Sequence, residues 1–338
     1  MAKFITHFIP QNKMLFNGVI GLYKSNNLIG KINANNLKIP ALGNKLYSFG
    51  ALSDIHIQRT TGTTDFQRAL TYFNEVEKVS FICIAGDLGV NGTEGEFVQY
   101  VELINTFSPD TPVYECTGNH DVETTRATVD GLMTYTGHPL YYSFTKENDV
   151  FIFFGMSGWS GKTGTIFEQS ALQWLYEILE ANRNKRCFVF EHCPRFDGSG
   201  LPYPDAPAPT GDLLSYPEGM VFQSLMEHYT NVIWFHGHTH TKFACQVDCV
   251  YANYDRMFGC HSVHIPSLQA TKYYNGDWVV EDGNSEGYIF DVYENHIVLR
   301  GRDFVADKFI PIASYCIDTT PQTITAKSFI DRTNTIIT

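Results

Sequence analysis

The chain has 338 residues, of which 43% are hydrophobic and 14% aromatic, so it can bury a sizeable core in one large domain with additions. Its formal net charge is -12, and no basic stripe of the kind that nucleic-acid binders carry is visible in the sequence. The acidic balance therefore disfavours a nucleic acid as partner. No apolar run is long enough to predict a transmembrane helix.

The chain contains 8 cysteines, and several lie inside apolar runs where a thiol packs as a small hydrophobic group. Their spacing matches no zinc-finger pattern, so we expect free thiols and hence a reducing compartment. The first residues lack the apolar core and the cleavage site of a secretory signal peptide. We therefore expect a cytoplasmic protein that does not bind a membrane.

The predicted elements fall into three segments along the chain. Residues 1–44 are rich in Asn and Ile and predict a small β-rich N-terminal module, whereas residues 45–305 alternate strand and helix patterns. Residues 306–338 predict a C-terminal strand or tail extension. Strands that alternate with helices indicate βαβ units and a largely parallel sheet, and short strands after Thr241 indicate a second sheet region packed on the first.

The middle segment gives the clearest element predictions. Its predicted strands cover residues 46–52, 81–85, 113–117, 151–154, 186–191, 231–235, 287–292 and 296–299. Its predicted helices cover residues 66–77, with Thr64-Asp65 as the cap, and then 94–107, 167–182 and 222–228.

Five short blocks of metal-binding residue types directly follow these strands. Ligands of α/β sheets bind beyond the carboxyl ends of the strands, so the blocks predict one two-metal site along an edge of a sheet. In chain order the blocks are Asp54-Ile55-His56, Gly86-Asp87, Gly118-Asn119-His120-Asp121, His192 and Gly237-His238-Thr239-His240.

These residue types suit the hydrolysis of a phosphate ester, which needs a strong nucleophile and positive charge near the phosphoryl oxygens. Two metal ions about 3.5–4 Å apart supply both. In Asp54-Ile55-His56 the i, i+2 spacing places both side chains on one side of an extended segment. The glycine before Asp87 permits close backbone approach. Asn119 offers an uncharged oxygen ligand, and His120 is available as a proton donor.

The complete set D-x-H, G-D, G-N-H-D, H and G-H-x-H, in this order, resembles the calcineurin-like metallophosphoesterase superfamily over residues 45–301. The resemblance implies an α/β fold, a four-layer α/β/β/α sandwich of two mixed β-sheets flanked by helices, with the small β-rich N-terminal module as an extension. It also implies that residues 45–305 form a catalytic domain with two metal ions. The ligand types suit Mn, Fe or Zn.

The resemblance assigns a role to each block. The implied ligands of the first ion are Asp54, His56 and His240, those of the second are Asn119, His192 and His238, and the bridge between the two ions is Asp87. A hydroxide that bridges the ions is the implied nucleophile. Asp87 counts as catalytic because it holds both ions, and His120 is the implied catalytic histidine, which protonates the leaving alkoxide or fixes the phosphate.

Substrate choice depends on weaker signals. Asp121 occupies the last position of its block, where an Asp rather than a Glu favours phosphodiesterases, nucleotidases or purple-acid-like enzymes over protein phosphatases. Arg195 and Arg126 lie close in sequence to His192 and His120, and each is a candidate to hold a phosphate oxygen. The Pro- and Gly-rich residues 193–219 predict a loop that forms a wall over the site.

The sequence thus predicts a binuclear metal-dependent phosphoester hydrolase with a small-molecule phosphoester as substrate, either a phosphodiester or a nucleotide-type compound. Two alternatives stay open, which are a phosphomonoesterase, protein phosphatases included, and a non-catalytic metal-binding scaffold. Two further residues receive ordinary structural roles. Trp159 is expected in the core, and His236 is expected to pack or to hydrogen-bond beneath the last block.

Overall fold

The computed structural model shows a mixed α/β architecture built on two large sheets. The residues that it describes are 13–14, 19–24, 27–33, 42–122, 129–160, 164–195, 199–200, 217–243, 245, 254–255, 259–274, 277–281 and 283–319.

The elements follow the alternation predicted for the middle segment. The strands are β1 (Lys13–Met14), β2 (Val19–Lys24), β3 (Asn27–Asn33), β4 (Tyr47–Leu52), β5 (Ile82–Ala85), β6 (Val113–Cys116), β7 (Tyr141–Lys146), β8 (Asp149–Phe154), β9 (Gly158–Ser160), β10 (Gly164–Ile166), β11 (Cys187–Phe190), β12 (Val232–His236), β13 (Tyr254–Asp255), β14 (His261–His264), β15 (Thr271–Tyr274), β16 (Trp278–Glu281), β17 (Glu286–Val292), β18 (His296–Asp303) and β19 (Lys308–Asp318). The helices are α1 (Gly62–Thr71), which a π-helical segment (Tyr72–Glu77) continues, α2 (Glu94–Phe107), α3 (Asn119–Val122), α4 (Val129–Thr136), α5 (Gln169–Ala181) and α6 (Pro217–His228).

The first sheet has seven strands in the order β1-β19-β18-β17-β4-β5-β6. Strands β4, β5 and β6 run parallel, whereas β17, β18 and β19 run antiparallel to their neighbours. Every residue of β4 and β5 is buried, as expected of parallel strands that are covered on both faces. The predicted βαβ units are therefore confirmed here, with α1 and α2 as crossovers.

The second sheet has six strands in the order β13-β14-β12-β11-β8-β7. Its four central strands are parallel, and β7 and β13 pair antiparallel at its two edges. The carboxyl ends of β11 and β12 therefore lie side by side, as do those of β4, β5 and β6 in the first sheet.

An aromatic core fills the space between the two sheets. The ring of Phe49 in the first sheet stacks on Phe290 at a centroid distance of 4.7 Å and meets Phe151 of the second sheet edge-on at 5.3 Å. On the outer faces, α1 packs on the first sheet through Phe66, and α6 packs on the second through Phe222. The order helix, sheet, sheet, helix confirms the predicted four-layer sandwich of two mixed sheets.

Local sequence explains where the first two crossover helices begin. Helix α2 has the predicted bounds, and Thr93 caps it with Glu96 in a reciprocal capping box. Helix α1 begins earlier than predicted because Thr61, rather than Thr64-Asp65, occupies the cap position. Asp65 instead lies in the first turn, where its carboxylate favours the positive end of the helix dipole.

Segments from both ends of the chain extend the first sheet, since β1 pairs with β19 and β19 pairs with β18. Strands β2 and β3 form a separate hairpin. The domain boundaries after residues 44 and 305 stay predictions. The cysteines at described positions are buried. No helix among the described residues is both long enough and apolar enough to cross a membrane.

Candidate metal centre

The five blocks meet at one place, but two sheets rather than one supply them. Asp54, Asp87 and Asn119 follow β4, β5 and β6 of the first sheet, whereas His192 and His238 follow β11 and β12 of the second. The prediction of a site along one edge of a single sheet is therefore wrong. Face-to-face packing brings the carboxyl ends of both sets of parallel strands to the same end of the sandwich.

The backbone at the ligand positions lies in the left-handed region. Asp54 has a φ of 53° and His56 a φ of 50°, so the premise of an extended segment is wrong, although both side chains do reach the centre. Asp87, His238 and His240 have φ values of 55°, 69° and 58°. A residue other than glycine in this region lowers the stability of the folded state by about 1–3 kcal/mol, and such strained residues occur mainly at functional sites.

Two glycines allow the blocks to approach one another. A β-carbon on Gly86, whose φ is 84°, would lie 2.7 Å from His192 Nδ1 and 2.8 Å from Gly118 N. A β-carbon on Gly237 would lie 2.5 Å from Asp54 Oδ2. Any other residue at these positions would push the strand exits apart, so the predicted close backbone approach before Asp87 is confirmed.

A first cluster of donor atoms comes from Asp54, His56, Asp87 and His240, whose ligand atoms all lie within 4.8 Å of one another. Asp54 Oδ1 lies 3.1 Å from His240 Nε2 and 3.9 Å from His56 Nε2. His56 Nε2 lies 3.8 Å from Asp87 Oδ2. All four side chains are buried, so the cluster has the size and the enclosure of a site for one cation.

A second cluster comes from Asp87, His192 and His238, again with ligand atoms within 4.8 Å of one another. His192 Nε2 lies 3.2 Å from Asp87 Oδ2. Asn119 adds a neutral oxygen, because its Oδ1 lies 2.9 Å from His238 Nδ1. Asp87 belongs to both clusters, and the two clusters therefore share one carboxylate.

The charges at the centre depend on one another. Burial favours the neutral forms of Asp54 and Asp87, but nearby imidazoles, His192 among them, hold the pKa of both carboxyl groups well below the usual range. Burial also opposes the charged form of His192, yet Asp87 and Asp54 raise its pKa to about 10. Burial lowers the pKa of His56 to about 3. The centre thus combines two anionic carboxylates with a protonated His192 and a neutral His56, and a bound cation would take the place of the His192 proton.

Backbone carbonyls orient two of the imidazoles. His192 Nδ1 donates to Ala85 O at 2.6 Å, and His240 Nδ1 donates to Ala270 O at 3.0 Å. A carbonyl that accepts the Nδ1 proton directs Nε2 into the centre, which is how proteins orient a metal-binding histidine, and metal binding would displace the Nε2 proton of His192. Both Nε2 atoms point into the clusters.

His120 lies beside the centre and belongs to neither cluster. Its Nδ1 donates to Val90 O at 2.7 Å, and its backbone N–H donates to Asp87 Oδ1 at 2.9 Å. The side chain is half-buried, and its ring centroid lies 4.9 Å from that of His56. These contacts place a fixed imidazole next to the cluster ligands.

The donor set fits divalent metal ions. Asp54 Oδ1 and His192 Nε2 are buried and make no aligned hydrogen bond with any described residue, although His240 Nε2 approaches the first atom to 3.1 Å. Buried polar atoms are normally hydrogen-bonded, so two such atoms that point into the clusters are suited to bind a cation. Carboxylate, imidazole and amide donors without thiolates suit Mn, Fe or Zn.

Asp121 has a position that sequence reasoning did not foresee. It is 1% exposed, and its carboxylate accepts hydrogen bonds from the N–H groups of Gly118 at 2.8 Å and Gly89 at 3.2 Å. It thereby ties together the two loops that carry Asp87 and Asn119. Its predicted contact with substrate stays a prediction.

Of the two arginines predicted near the substrate, Arg195 lies among the described residues. Arg195 is 5% exposed and lies 4.0 Å from Glu227 on α6. It lines a small cavity with Trp234 and Ser262 on the outer side of the second sheet. Its contact with substrate stays a prediction. Arg126 lies outside the described residues, and so do most of residues 196–216 in the predicted loop.

Sequence reasoning missed part of a buried polar network behind the last block. Thr239 Oγ1 lies 3.0 Å from His264 Nε2, and His236 Nε2 lies 2.9 Å from Ser199 Oγ and 3.1 Å from Ser262 Oγ. The predicted hydrogen bonding of His236 beneath this block is confirmed. The polar residues of buried β14 were the available signal, because buried polar groups need partners.

Trp159 was expected in the core, and it does pack against the core of the second sheet. It also reaches the centre, since its ring centroid lies 5.2 Å from that of His238. The side chain is half-buried, and its strand β9 contacts α3, which carries Asn119 and His120. An isolated Trp in a sequence carries no signal for such a position.

The fold and the donor clusters together define the class of protein, an α/β sandwich with a metal centre of the metallophosphoesterase type. The chain belongs to the calcineurin-like phosphoesterase family, and the family model matches residues 47–242. The resemblance drawn from the five blocks is thereby confirmed.

Solved structures share the fold at low sequence identity. GAP50, described as the anchor in the inner membrane complex of Plasmodium, is 13% identical with a TM-score of 0.53, over 83% of this chain and 90% of that one. Purple acid phosphatase PPD1 from yellow lupin (Lupinus luteus) is 14% identical with a TM-score of 0.50, over 82% of this chain and only 57% of that one. These identities show the fold alone. No curated protein matches the sequence.

Proposed function

We propose that the protein is a binuclear metal-dependent phosphoester hydrolase that acts on phosphodiesters or nucleotide-type small molecules. The observation that carries this proposal is the carboxylate of Asp87, which two buried donor clusters share. A shared carboxylate can hold two cations close together, the arrangement used for displacement at phosphorus. Membership of the calcineurin-like phosphoesterase family supports the same reaction class.

The chain supplies a complete set of protein ligands for two ions. The proposed ligands are Asp54, His56 and His240 for one ion, Asn119, His192 and His238 for the other, and Asp87 for both. When bound, the two ions would supply a water of lowered pKa and positive charge for the phosphoryl oxygens. The polar network behind the last block would keep His238 and His240 in place.

His120 is the proposed proton donor to the leaving group. The hydrogen bond from its Nδ1 to Val90 O fixes the ring, so Nε2 is the atom that can give a proton to a departing alkoxide. It is half-buried rather than enclosed, so a substrate can reach it. The hydrogen bond from its backbone N–H to Asp87 Oδ1 fixes the position of His120 relative to the shared carboxylate.

Trp159 supports a nucleotide-type substrate. A half-buried indole ring 5.2 Å from the ring of His238 offers an aromatic face at the rim of the centre. Aromatic faces stack on nucleobases with about 1–3 kcal/mol for each base. The net charge of -12 argues against a long nucleic acid and for a small phosphoester partner.

The test is metal-dependent hydrolysis by the purified protein of bis(p-nitrophenyl) phosphate and of p-nitrophenyl phosphate, with the metal content measured by elemental analysis. We expect two ions per chain and a higher rate for the diester. Asp87→Ala should lose both the ions and the activity. A protein that binds two ions and cleaves neither compound would contradict the proposed activity.

The same experiment separates the alternatives. A higher rate for the monoester would indicate a phosphomonoesterase built on the same centre. Bound metal without hydrolysis would favour a non-catalytic scaffold. The likeness in fold to GAP50, the anchor in the inner membrane complex of Plasmodium, is a reason to test this alternative.

A further inference from the structure

Lys272 stands at the edge of the metal centre, next to the last ligand block. Its backbone N–H donates to His240 O at 2.7 Å, and its strand β15 bridges in parallel to Thr241. The carbonyl that orients the His240 imidazole belongs to Ala270, two residues earlier. The backbone of Lys272 is therefore fixed to the same hydrogen-bonded segment that positions a proposed metal ligand.

The ammonium group of Lys272 lies within electrostatic range of the two carboxylates of the centre. The charged groups that act on it are Asp54, Asp87 and Arg59, and the side chain is half-buried. Among the residues that the structure describes, no carboxylate forms an ion pair with it. The contrast is Lys242 on the same segment, which pairs with Glu281 and covers the ring of Tyr273 at 4.8 Å.

Arg59 adds a second cation on the same side. It follows Asp54-Ile55-His56 by three positions, and its backbone N–H donates to His56 O at 2.9 Å. Its side chain is half-buried, and within the described ranges it has no ion-pair partner. The backbones of Lys272 and Arg59 therefore lie beside His240 and His56 of the first donor cluster, whereas the ring of Trp159 lies beside His238 of the second.

One oxygen of each carboxylate in the centre already accepts hydrogen bonds from neighbouring groups. Asp54 accepts from Ser53 Oγ at 2.7 Å and from the backbone N–H of His238 at 3.0 Å. Asp87 accepts from the backbone N–H of His120 at 2.9 Å. Two bound metal ions would neutralise both carboxylates further. Half-buried cations without a protein counter-ion cost free energy, and an anionic ligand would offset that cost.

We propose that Lys272 and Arg59 form a cationic subsite that binds a second phosphoryl group of the substrate. This inference rests on the proposed function and deepens it. The metal ions would bind the phosphoryl group that is attacked. Lys272 and Arg59 would then bind a second, adjacent phosphoryl group, as a diphosphate has. With the aromatic face of Trp159 beside the second donor cluster, the substrate class is a diphosphate that carries an aromatic group, such as a nucleoside diphosphate derivative.

The reaction balances without any co-reactant other than water. A water oxygen bonds to the attacked phosphorus, and the bond from that phosphorus to the bridging oxygen breaks. The bridging oxygen keeps the electron pair and remains on the second phosphate. One proton of the water ends on each phosphate product. Lys272 and Arg59 bind the departing phosphate and take no part in bond making.

The experiment measures binding of inorganic pyrophosphate and of inorganic phosphate to the metal-loaded full chain by calorimetry at fixed free metal. We expect the wild type to bind pyrophosphate at least about tenfold more tightly than phosphate, since charge-assisted hydrogen bonds add to affinity. Lys272→Gln and Arg59→Gln should each reduce that ratio severalfold and leave phosphate affinity and metal content unchanged. Lys272→Arg should retain most of the ratio.

Lys146→Gln is the matched control, because Lys146 is also half-buried but lies on β7 at an edge of the second sheet. It should leave the ratio unchanged. A wild type that binds both anions equally, or a Lys272→Gln variant that weakens both by the same factor, overturns the subsite. Loss of all phosphoester hydrolysis in the metal-loaded wild type would defeat the proposed function instead, and the binding ratio would still report on the subsite.

Discussion

His56 Nε2 and His240 Nε2 lie 3.1 Å apart although their blocks follow strands of different sheets. The Nδ1 atom of His240 donates to Ala270 O, so its Nε2 carries a lone pair toward His56. Burial holds the pKa of His56 at about 3, so at neutral pH its imidazole is neutral and can donate its one N–H hydrogen, on Nε2, to that lone pair. A cation held by both Nε2 atoms and the neighbouring carboxylates would join the two sheets more strongly than this hydrogen bond, and metal binding should therefore stabilise the fold.

Metal removal should lower the thermal stability of the protein. A ligand at 100 times its dissociation constant stabilises the folded state by about 2.7 kcal/mol, which for a chain of this size is a shift of several degrees in Tm. Calorimetry with added Mn and with chelator measures the shift. Asp87→Asn should abolish it, and Asp110→Asn, at an exposed loop position, should not. A wild-type Tm that is the same with added Mn and with chelator would contradict the stabilising role of the metal.

His120→Asn should separate catalysis from metal binding. His120 belongs to neither donor cluster, so metal content should stay at the wild-type level. Loss of a positioned proton donor typically lowers the rate by about 10²–10⁴-fold. The loss should be larger for alkyl than for p-nitrophenyl leaving groups, because an alkoxide needs the proton more. Equal losses for both leaving groups, measured as kcat at saturating metal, would argue for a role in binding the phosphate.

Asp121→Asn should weaken metal binding without a direct effect on substrate. The amide NH₂ group would replace one carboxylate oxygen and face the backbone N–H of either Gly118 or Gly89, which leaves a buried donor unpaired at about 1–3 kcal/mol. We expect metal affinity to fall about 10–100-fold, as it does when a group that supports metal ligands is lost. Metal titration gives the affinity. An unchanged metal affinity with a raised KM would instead support the substrate contact predicted from the sequence.

Glu286 should make stability depend on pH. Burial raises the pKa of its carboxyl group from 4.5 to about 8, and the carboxylate accepts from Phe243 N at 2.7 Å. Between pH 4.5 and about 8 the Glu286 carboxyl group keeps its proton in the folded state and loses it in the unfolded state. The stability that Glu286 contributes is therefore fully present below pH 4.5 and is lost as pH rises toward 8. The slope is at most about 1.4 kcal/mol per pH unit.

Glu286→Gln tests this effect, since the amide oxygen can still accept from Phe243 N. Urea unfolding in chelator at several pH values between 5 and 8 should show the wild type losing stability relative to the variant. Parallel stability profiles for the two proteins would show that the carboxyl group titrates normally. The position is separate from the metal ligands, so activity at saturating metal should change little.

Much of the fold was predictable because strand and helix periods are local properties. The bounds of α2 follow from its apolar face and its capping box at Thr93, and β5 and β6 follow from short apolar runs that end at Gly86 and Gly118. The left-handed backbone of Asp54 and His56 was not predictable. Asp and His enter that region more often than most residues other than glycine, but at a given position only the surrounding structure holds them there.

Residues that reach the centre from distant parts of the chain were not predicted from the sequence. Lys272 and Trp159 belong to none of the blocks; Lys272 comes to the centre through the bridge of β15 to Thr241, and Trp159 through the contact of β9 with α3. Asp121 belongs to a block, yet its contacts with Gly89 and Gly118 decide its role. Hydrogen-bond partners depend on which loops meet, and that follows from sheet packing.

The sequence by itself determined the donor inventory and the family, because the order and the spacing of five blocks at strand ends are written in the chain. Only the tertiary structure decided that two sheets rather than one build the centre, and that Asp87 belongs to both donor clusters. The physical reason is the burial of the aromatic faces around Phe49 and Phe151 against each other. That packing aligns the carboxyl ends of both sets of parallel strands, and no local pattern in the sequence specifies it.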